Sequence, residues 1–507
     1  MSSTEPKSLD RTTDNSLWSV ADTWSKFLYP FLFIHRETPK VQASGQDFVQ
    51  VLMSDVHHPV IWHPRPFGDR ELDNFLPYVQ QYLTEPSIHQ RFVLHEVCLM
   101  PQAVYVFEED PAQELRFCIR DVTLHVFFNG VACLAIEIQP DDVSKIAIDQ
   151  VEEMNARLAS FVNGAPFHLE KPRGTATSNA FSIAGLCQQR GVLTMRRLID
   201  DLLGTFSTSH SPVVITPMAG RFLPIYGALL LHPRSAENSG WLDRRFQEFA
   251  EHHLTILRKT YTPNNISTFS QIHMEDAQHH YVPYHNVIHS QSLDGGFILA
   301  YQNGLEHFAG QPAPAMESFR TSYFDMMLIP FHQRLSIIRY AMAAAQAGLS
   351  PERGAELRQL REEIYDFTSR CYFSQASVSE ERNHIYMRWQ EEFHVVRMYN
   401  DLKEEVHDID NYLADLAREK DSEVREAAAR RDSRNIQLFG LVTLIFLPVS
   451  LLLYAIPAEP VVHRWINFGL YPGRSLLVVG GMVAFVVVLL ASIFWYLHRG
   501  KDTLERL

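Results

Sequence analysis

The sequence predicts an α+β domain followed by a long stalk helix and two C-terminal transmembrane helices. Three observations carry that expectation. Two long apolar runs near the C-terminus hold no charge. The stretch from Ser377 to Ile456 contains only one proline and one glycine, Pro448 and Gly440, and both lie inside the first run. In the N-terminal half, apolar segments flank an Asn-Gly pair, the pattern of a β-hairpin.

The first run is residues 436–456 and the second is residues 475–497. At about 1.5 Å per residue the first reaches about 32 Å, enough for a hydrocarbon core of roughly 30 Å. Arg418, Lys420, Arg425, Arg430, Arg431 and Arg434 precede the first run, and Arg499, Lys501 and Arg506 follow the second. Only Arg464 and Arg474 lie in the loop 457–474 between them. The positive-inside rule then expects a multi-pass protein of the inner membrane with both termini cytoplasmic. The lipid bilayer is the first expected partner.

Upstream elements follow in order. Residues 1–17 are polar and read as disordered, and 18–316 as a cytosolic α/β domain. Within it 91–98 and 103–108 read as strands, and 121–128 and 131–138 as a hairpin whose Asn129-Gly130 suits a type I′ turn. Asp141-Asp142 reads as the cap of a helix running to about Val162, and 164–178 as a break. Strands are expected again near 212–216, 222–231 and 296–301, with a helix over roughly 240–261. Residues 317–435 read as a helical hairpin and stalk: one helix over 317–347 interrupted by Pro330, one opened by Ser350-Pro351-Glu352, and a third opened by a capping box at Ser377 and Glu380. Tyr399, Leu402, Val406, Ile409, Leu413 and Leu416 form a heptad seam along the third, to be buried against upstream helices or other copies.

Composition bounds function. The chain has 507 residues, 46% of them hydrophobic, and a net charge of −14, which disfavours nucleic acid as a partner. Cys98, Cys118, Cys133, Cys187 and Cys371 are scattered and form no CxxC, so neither a disulfide framework nor a zinc ribbon is expected. No P-loop, GxSxG or Rossmann fingerprint occurs, and the sequence predicts no enzyme. His285 and His289 have the i, i+4 spacing of helical zinc ligands, but Pro283 favours a loop or short strand. Glu404, Glu405, Asp408 and Asp415 read as a solvated stalk face or, in an oligomer, as regulatory divalent-cation sites.

The order of an α/β domain, helices, a stalk helix and two C-terminal spans resembles the CorA superfamily of metal-ion transporters. Thr443-Leu444-Ile445-Phe446-Leu447-Pro448-Val449-Ser450 resembles a run in that family's first span, and Asn467-Phe468-Gly469-Leu470-Tyr471-Pro472 resembles its outer loop. The resemblance implies a homopentameric channel, with a divalent cation as substrate or regulator and a cytosolic domain that controls the gate. Gly440, Thr443, Leu447, Ser450 and Tyr454 share one helix face and become the expected pore lining. The family's outer-mouth Gly-Met-Asn is absent; Pro457-Ala458-Glu459 stands there, so selective magnesium transport is not expected. The alternative is a non-conducting receptor or effector on the same scaffold, binding a regulatory ligand.

Overall fold

The computed structural model describes residues 17–36, 44–54, 60–108, 115–170, 182–207, 211–234, 239–259, 279–302, 312–348, 353–455, 484, 485, 488 and 491. They divide into two units, Met1–Leu413 and Ala414–Leu507.

The first unit is organised by β1 (Trp18–His35), an 18-residue strand. Sequence reasoning missed it because Ser19, Asp22, Thr23, Ser25, Lys26 and Pro30 break up its apolar pattern. Pro30 has no amide proton to give, and its carbonyl accepts from the Met218 amide at 2.9 Å. Past a bulge between Val20 and Asp22, side chains alternate between the two faces. Phe27, Tyr29, Phe31 and Phe33 enter the main apolar core. Lys26 is also buried, on the opposite face.

Around β1 lie β2 (Trp62–Pro64), β3 (His89–Leu94), β4 (Tyr105–Phe107), β5 (Arg116–Phe127), β6 (Val131–Pro140), β7 (Phe167–Leu169), β8 (Val213–Pro217), β9 (Ile225–Pro233), β10 (His280–Tyr284), β11 (Val287–Ser292) and β12 (Gly295–Tyr301). The main path of the sheet is β10-β11-β12-β9-β1-β6-β5-β3-β2, with β4 pairing β5 and β7, and β8 pairing β1. The β12–β9 pair is parallel. Its neighbours on the path pair antiparallel, β1 with β6 and β9, and β5 with β6.

The helices are α1 (Gly45–Ser54), α2 (Asp69–Leu72), α3 (Pro77–Thr84), α4 (Glu96–Leu99), α5 (Ile148–Ala159), α6 (Ile183–Arg190), α7 (Met195–Leu202), α8 (Ser239–Lys259), α9 (Pro312–Arg320), α10 (Ser322–Gly348), α11 (Arg353–Cys371), α12 (Glu380–Glu392) and α13 (Val395–Ala455). Residues of α1, α5, α6, α7 and α8 join the main core on one face of the sheet. Helices α9, α10 and α12 pack toward the other face, and α11 packs on α10.

Several local expectations change. The β5–β6 hairpin forms, but the positive φ belongs to Gly130 (+79°) alone, so the connection is a three-residue loop and not a type I′ turn. Asn129 is buried and its side chain is engaged elsewhere. Asp142 does not cap α5; it accepts from the Ser144 amide and hydroxyl, while Gln150 reaches back to the Ala147 amide. Pro330 stays inside α10, and the break falls instead before Ser322. The Ser377 hydroxyl bonds the Asn74 carbonyl and the Ser379 amide, so the capping box does not form. The stalk is two helices: α12 ends at Phe393, His394 turns left-handed with φ +55°, and α13 begins at Val395.

The membrane expectation is corrected. Among the described residues no helix is long and apolar enough to cross a membrane. This overturns the expected fold with two C-terminal spans, the inner-membrane location and the CorA-like channel. The run 436–456 continues the stalk helix, as expected, rather than starting a new one. Its first twenty residues are the end of α13, which is charged from Arg397 to Arg434. Of the second run, only Ala484, Phe485, Val488 and Ala491 are described.

Candidate functional site

Two features stand out, one in each unit. The first is a polar layer buried between the sheet and α10. Lys26 Nζ on β1 donates to the Arg320 carbonyl at 2.8 Å and lies 3.6 Å from Glu137 Oε2 on β6. Arg320 Nε lies 3.0 Å from the other Glu137 oxygen. Burial pushes the Glu137 carboxyl above its usual pKa, and it outweighs the opposing pull of Lys26 and Arg320.

Next to this group, His89 Nε2 and His125 Nδ1 lie 3.1 Å apart. His332 on α10 stacks on Phe127 at 3.8 Å between ring centres. Its Nδ1 meets the Tyr82 hydroxyl at 2.9 Å and its Nε2 meets Asn129 Oδ1 at 3.1 Å. Asn129 Nδ2 donates to Ser336 at 2.7 Å. Burial holds His89, His125 and His332 well below the ordinary histidine range, so all three are neutral at pH 7. Asn129→Ala removes the partner of the buried His332 Nε2. We expect it to cost ~1–3 kcal/mol in urea-induced unfolding, whereas a solvent-facing asparagine would cost almost nothing.

The second feature is the surface of α13. Within the first unit its heptad seam is covered: Leu402, Ile409 and Leu413 are buried. Arg361 on α11 bonds Asp410 at 3.0 Å, and Tyr372 stacks on Tyr399 at 3.9 Å. A cleft of about 660 Å³ remains between α11 and α13, lined by Arg361, Tyr365, Tyr399 and Lys403 among others. In the second unit, no described side chain of α13 is buried. Val424, Ile436, Leu438, Phe439, Val442, Leu444, Phe446 and Leu447 are all more than half exposed, Phe439 at 73%.

The residues singled out from sequence fall as follows. Gly440, Thr443, Leu447 and Ser450 lie exposed on α13, and Tyr454 lies on the same helix. Thr443 and Ser450 spend their hydroxyl protons on the helix's own carbonyls, at Phe439 and Phe446. Pro457, Ala458 and Glu459 lie outside the described residues. Glu404, Glu405, Asp408 and Asp415 are on α13; burial and the nearby Asp408 raise the Glu405 carboxyl. Among the described residues no group of three or more His, Cys, Asp or Glu side chains could hold a metal ion. His285 and His289 flank the β10–β11 turn, so the helical spacing does not apply. His289 is buried in β11 against Tyr323, and burial lowers it to about 3.

The polar layer escaped sequence reasoning because its members come from β1, β3, β5, β6, α3 and α10. Only His332 and Ser336, four residues apart on one apolar helix, gave a local sign of it. No protein-family model, curated protein or solved structure matches this chain.

Proposed function

We propose that this protein is a self-associating regulatory scaffold, in which copies meet along the second-unit part of α13 and each α/β unit modulates the assembly. The observation that supports it is the cluster of large apolar side chains exposed from Ile436 to Leu447. A contiguous apolar surface of this kind on a helix marks an association site. Copies related by cyclic symmetry would cover it with identical residues.

The cysteines do not support a thiol-based chemistry. All five cysteines are buried. Burial pushes the Cys98, Cys133 and Cys371 thiols up and carries Cys187 to about 12, so these thiols stay protonated and are poor nucleophiles.

Sedimentation equilibrium tests the proposal. Wild type should run as a homo-oligomer. Phe439→Glu/Phe446→Glu should run at the mass of one chain, while Met342→Glu, on the exposed face of α10, should leave the assembly intact. A monomeric wild type contradicts the reading, and so does an assembly that the double variant does not weaken.

A further inference from the structure

Asp325 lies in the first turns of α10 and is 1% exposed. Its Oδ2 is buried and has no hydrogen-bond partner among the described residues. A carboxylate in that position is costly, because an ionised oxygen taken from water needs donors.

The groups that face it do not supply a dedicated partner. From the sheet, Lys26 is held by Glu137 and the Arg320 carbonyl. Arg91 on β3 is bidentate to Glu71 on α2. Arg65, beyond β2, pairs with Asp121 on β5. His125 on β5 packs against Phe324, with its Nδ1 toward His89. Tyr82 on α3 is occupied by His332, and Tyr226 on β9 donates to the Phe319 carbonyl. From α12, Glu381 accepts from Tyr323 and Tyr284, and Arg382 lies over the Tyr323 ring.

We propose that Asp325 is a proton-dependent latch: protonated, it lets α10 seal onto the sheet, and its ionisation loosens that packing and the joint between α12 and α13. The path to the joint is short. Further along α10, Gln333 donates to the Cys371 carbonyl at 2.8 Å and to the Tyr386 hydroxyl. Arg334 donates to the Phe393 carbonyl at 2.8 Å, one residue before left-handed His394.

The direction with pH follows from burial, which carries the Asp325 carboxyl to about 7. Its folded value lies above its unfolded value, so the opened state releases the proton first. The latch is fully closed below about pH 4, weakens as pH rises toward 7, and changes little above that.

Hydrogen–deuterium exchange at pH 5 and pH 8, corrected for the intrinsic exchange rate, tests this in the full chain. In wild type the protection of residues 324–337 should fall at least about tenfold at pH 8. In Asp325→Asn it should stay level. No fall in wild type, or an equal fall in the variant, overturns the proposal. Should the variant fail to fold, infrared spectra of wild type labelled with ¹³C-aspartate decide instead. A protonated aspartic-acid carbonyl band present at pH 5 and lost by pH 8 supports the latch, and absence of that band at pH 5 overturns it.

Discussion

Lys26→Met should destabilise the first unit by ~3–5 kcal/mol, because it leaves a buried carboxylate without one of its two cations, the more deeply buried one. Glu137 is 5% exposed, and its Oε2 faces Lys26 at 3.6 Å. Arg320 remains, but it is shared with Glu317 and is itself 29% exposed. Lys26 also covers the Phe324 ring at 4.2 Å and bonds the Arg320 carbonyl, so the end of α9 loses an anchor as well. The loss should shrink in acid. Glu137 already has a raised pKa, and once protonated it needs no cation, so the penalty is present above that value and fades below it. Lys26→Met/Glu137→Leu should recover much of the stability. Urea titrations at pH 7 and pH 5 measure all three effects. A single variant within about 0.5 kcal/mol of wild type would show that the pair is not the keystone of this layer.

Gly295→Ala should cost at least ~3 kcal/mol, from strain and overpacking together. Gly295 has φ +133°, outside the range that a residue with a Cβ adopts readily. A Cβ placed there would lie 2.0 Å from the Ile225 carbonyl oxygen. That oxygen belongs to β9 at the start of its parallel pairing with β12, where Ile225 also donates its amide to the Asp294 carbonyl. Neither backbone can shift without opening the β9–β12 pair. Gly220, where a Cβ would meet nothing within 4 Å, is the control. Thermal unfolding should separate the two variants by many degrees, and equal midpoints would contradict the account of the β11–β12 turn.

Much of the secondary structure was legible because it rests on local pattern. The β5–β6 hairpin, the amphipathic helices after residue 312 and the long polar helix follow from periodicity and punctuation. What failed depended on tertiary partners. Asn129 looked like a turn residue, yet its side chain is held by His332 and Ser336, more than two hundred positions away. Ser377 looked like a cap but bonds the Asn74 carbonyl. The seam at Leu402, Ile409 and Leu413 was visible as a seam, and that its cover is α11 could be learned only from the fold. The membrane reading failed at the C-terminal runs: the first was read as the continuation of the stalk helix and does end the 61-residue α13, but among the described residues no helix is long and apolar enough to cross a membrane. The candidate site was least legible. Lys26, Glu137, His125 and Asp325 are single polar residues in apolar runs, and no spacing links them.

The central claim is that copies meet along α13, and the most direct measurement is an inter-copy distance on that helix. A spin label at Val424→Cys reports it, since the five native cysteines are buried. Helices in contact lie about 8–10 Å apart axis to axis, so labels in a parallel assembly should show dipolar distances on the order of 20–30 Å. Dilution with unlabelled chain should abolish the signal. Such a distance is the result expected here; a decay with no dipolar component at any concentration would contradict self-association through α13.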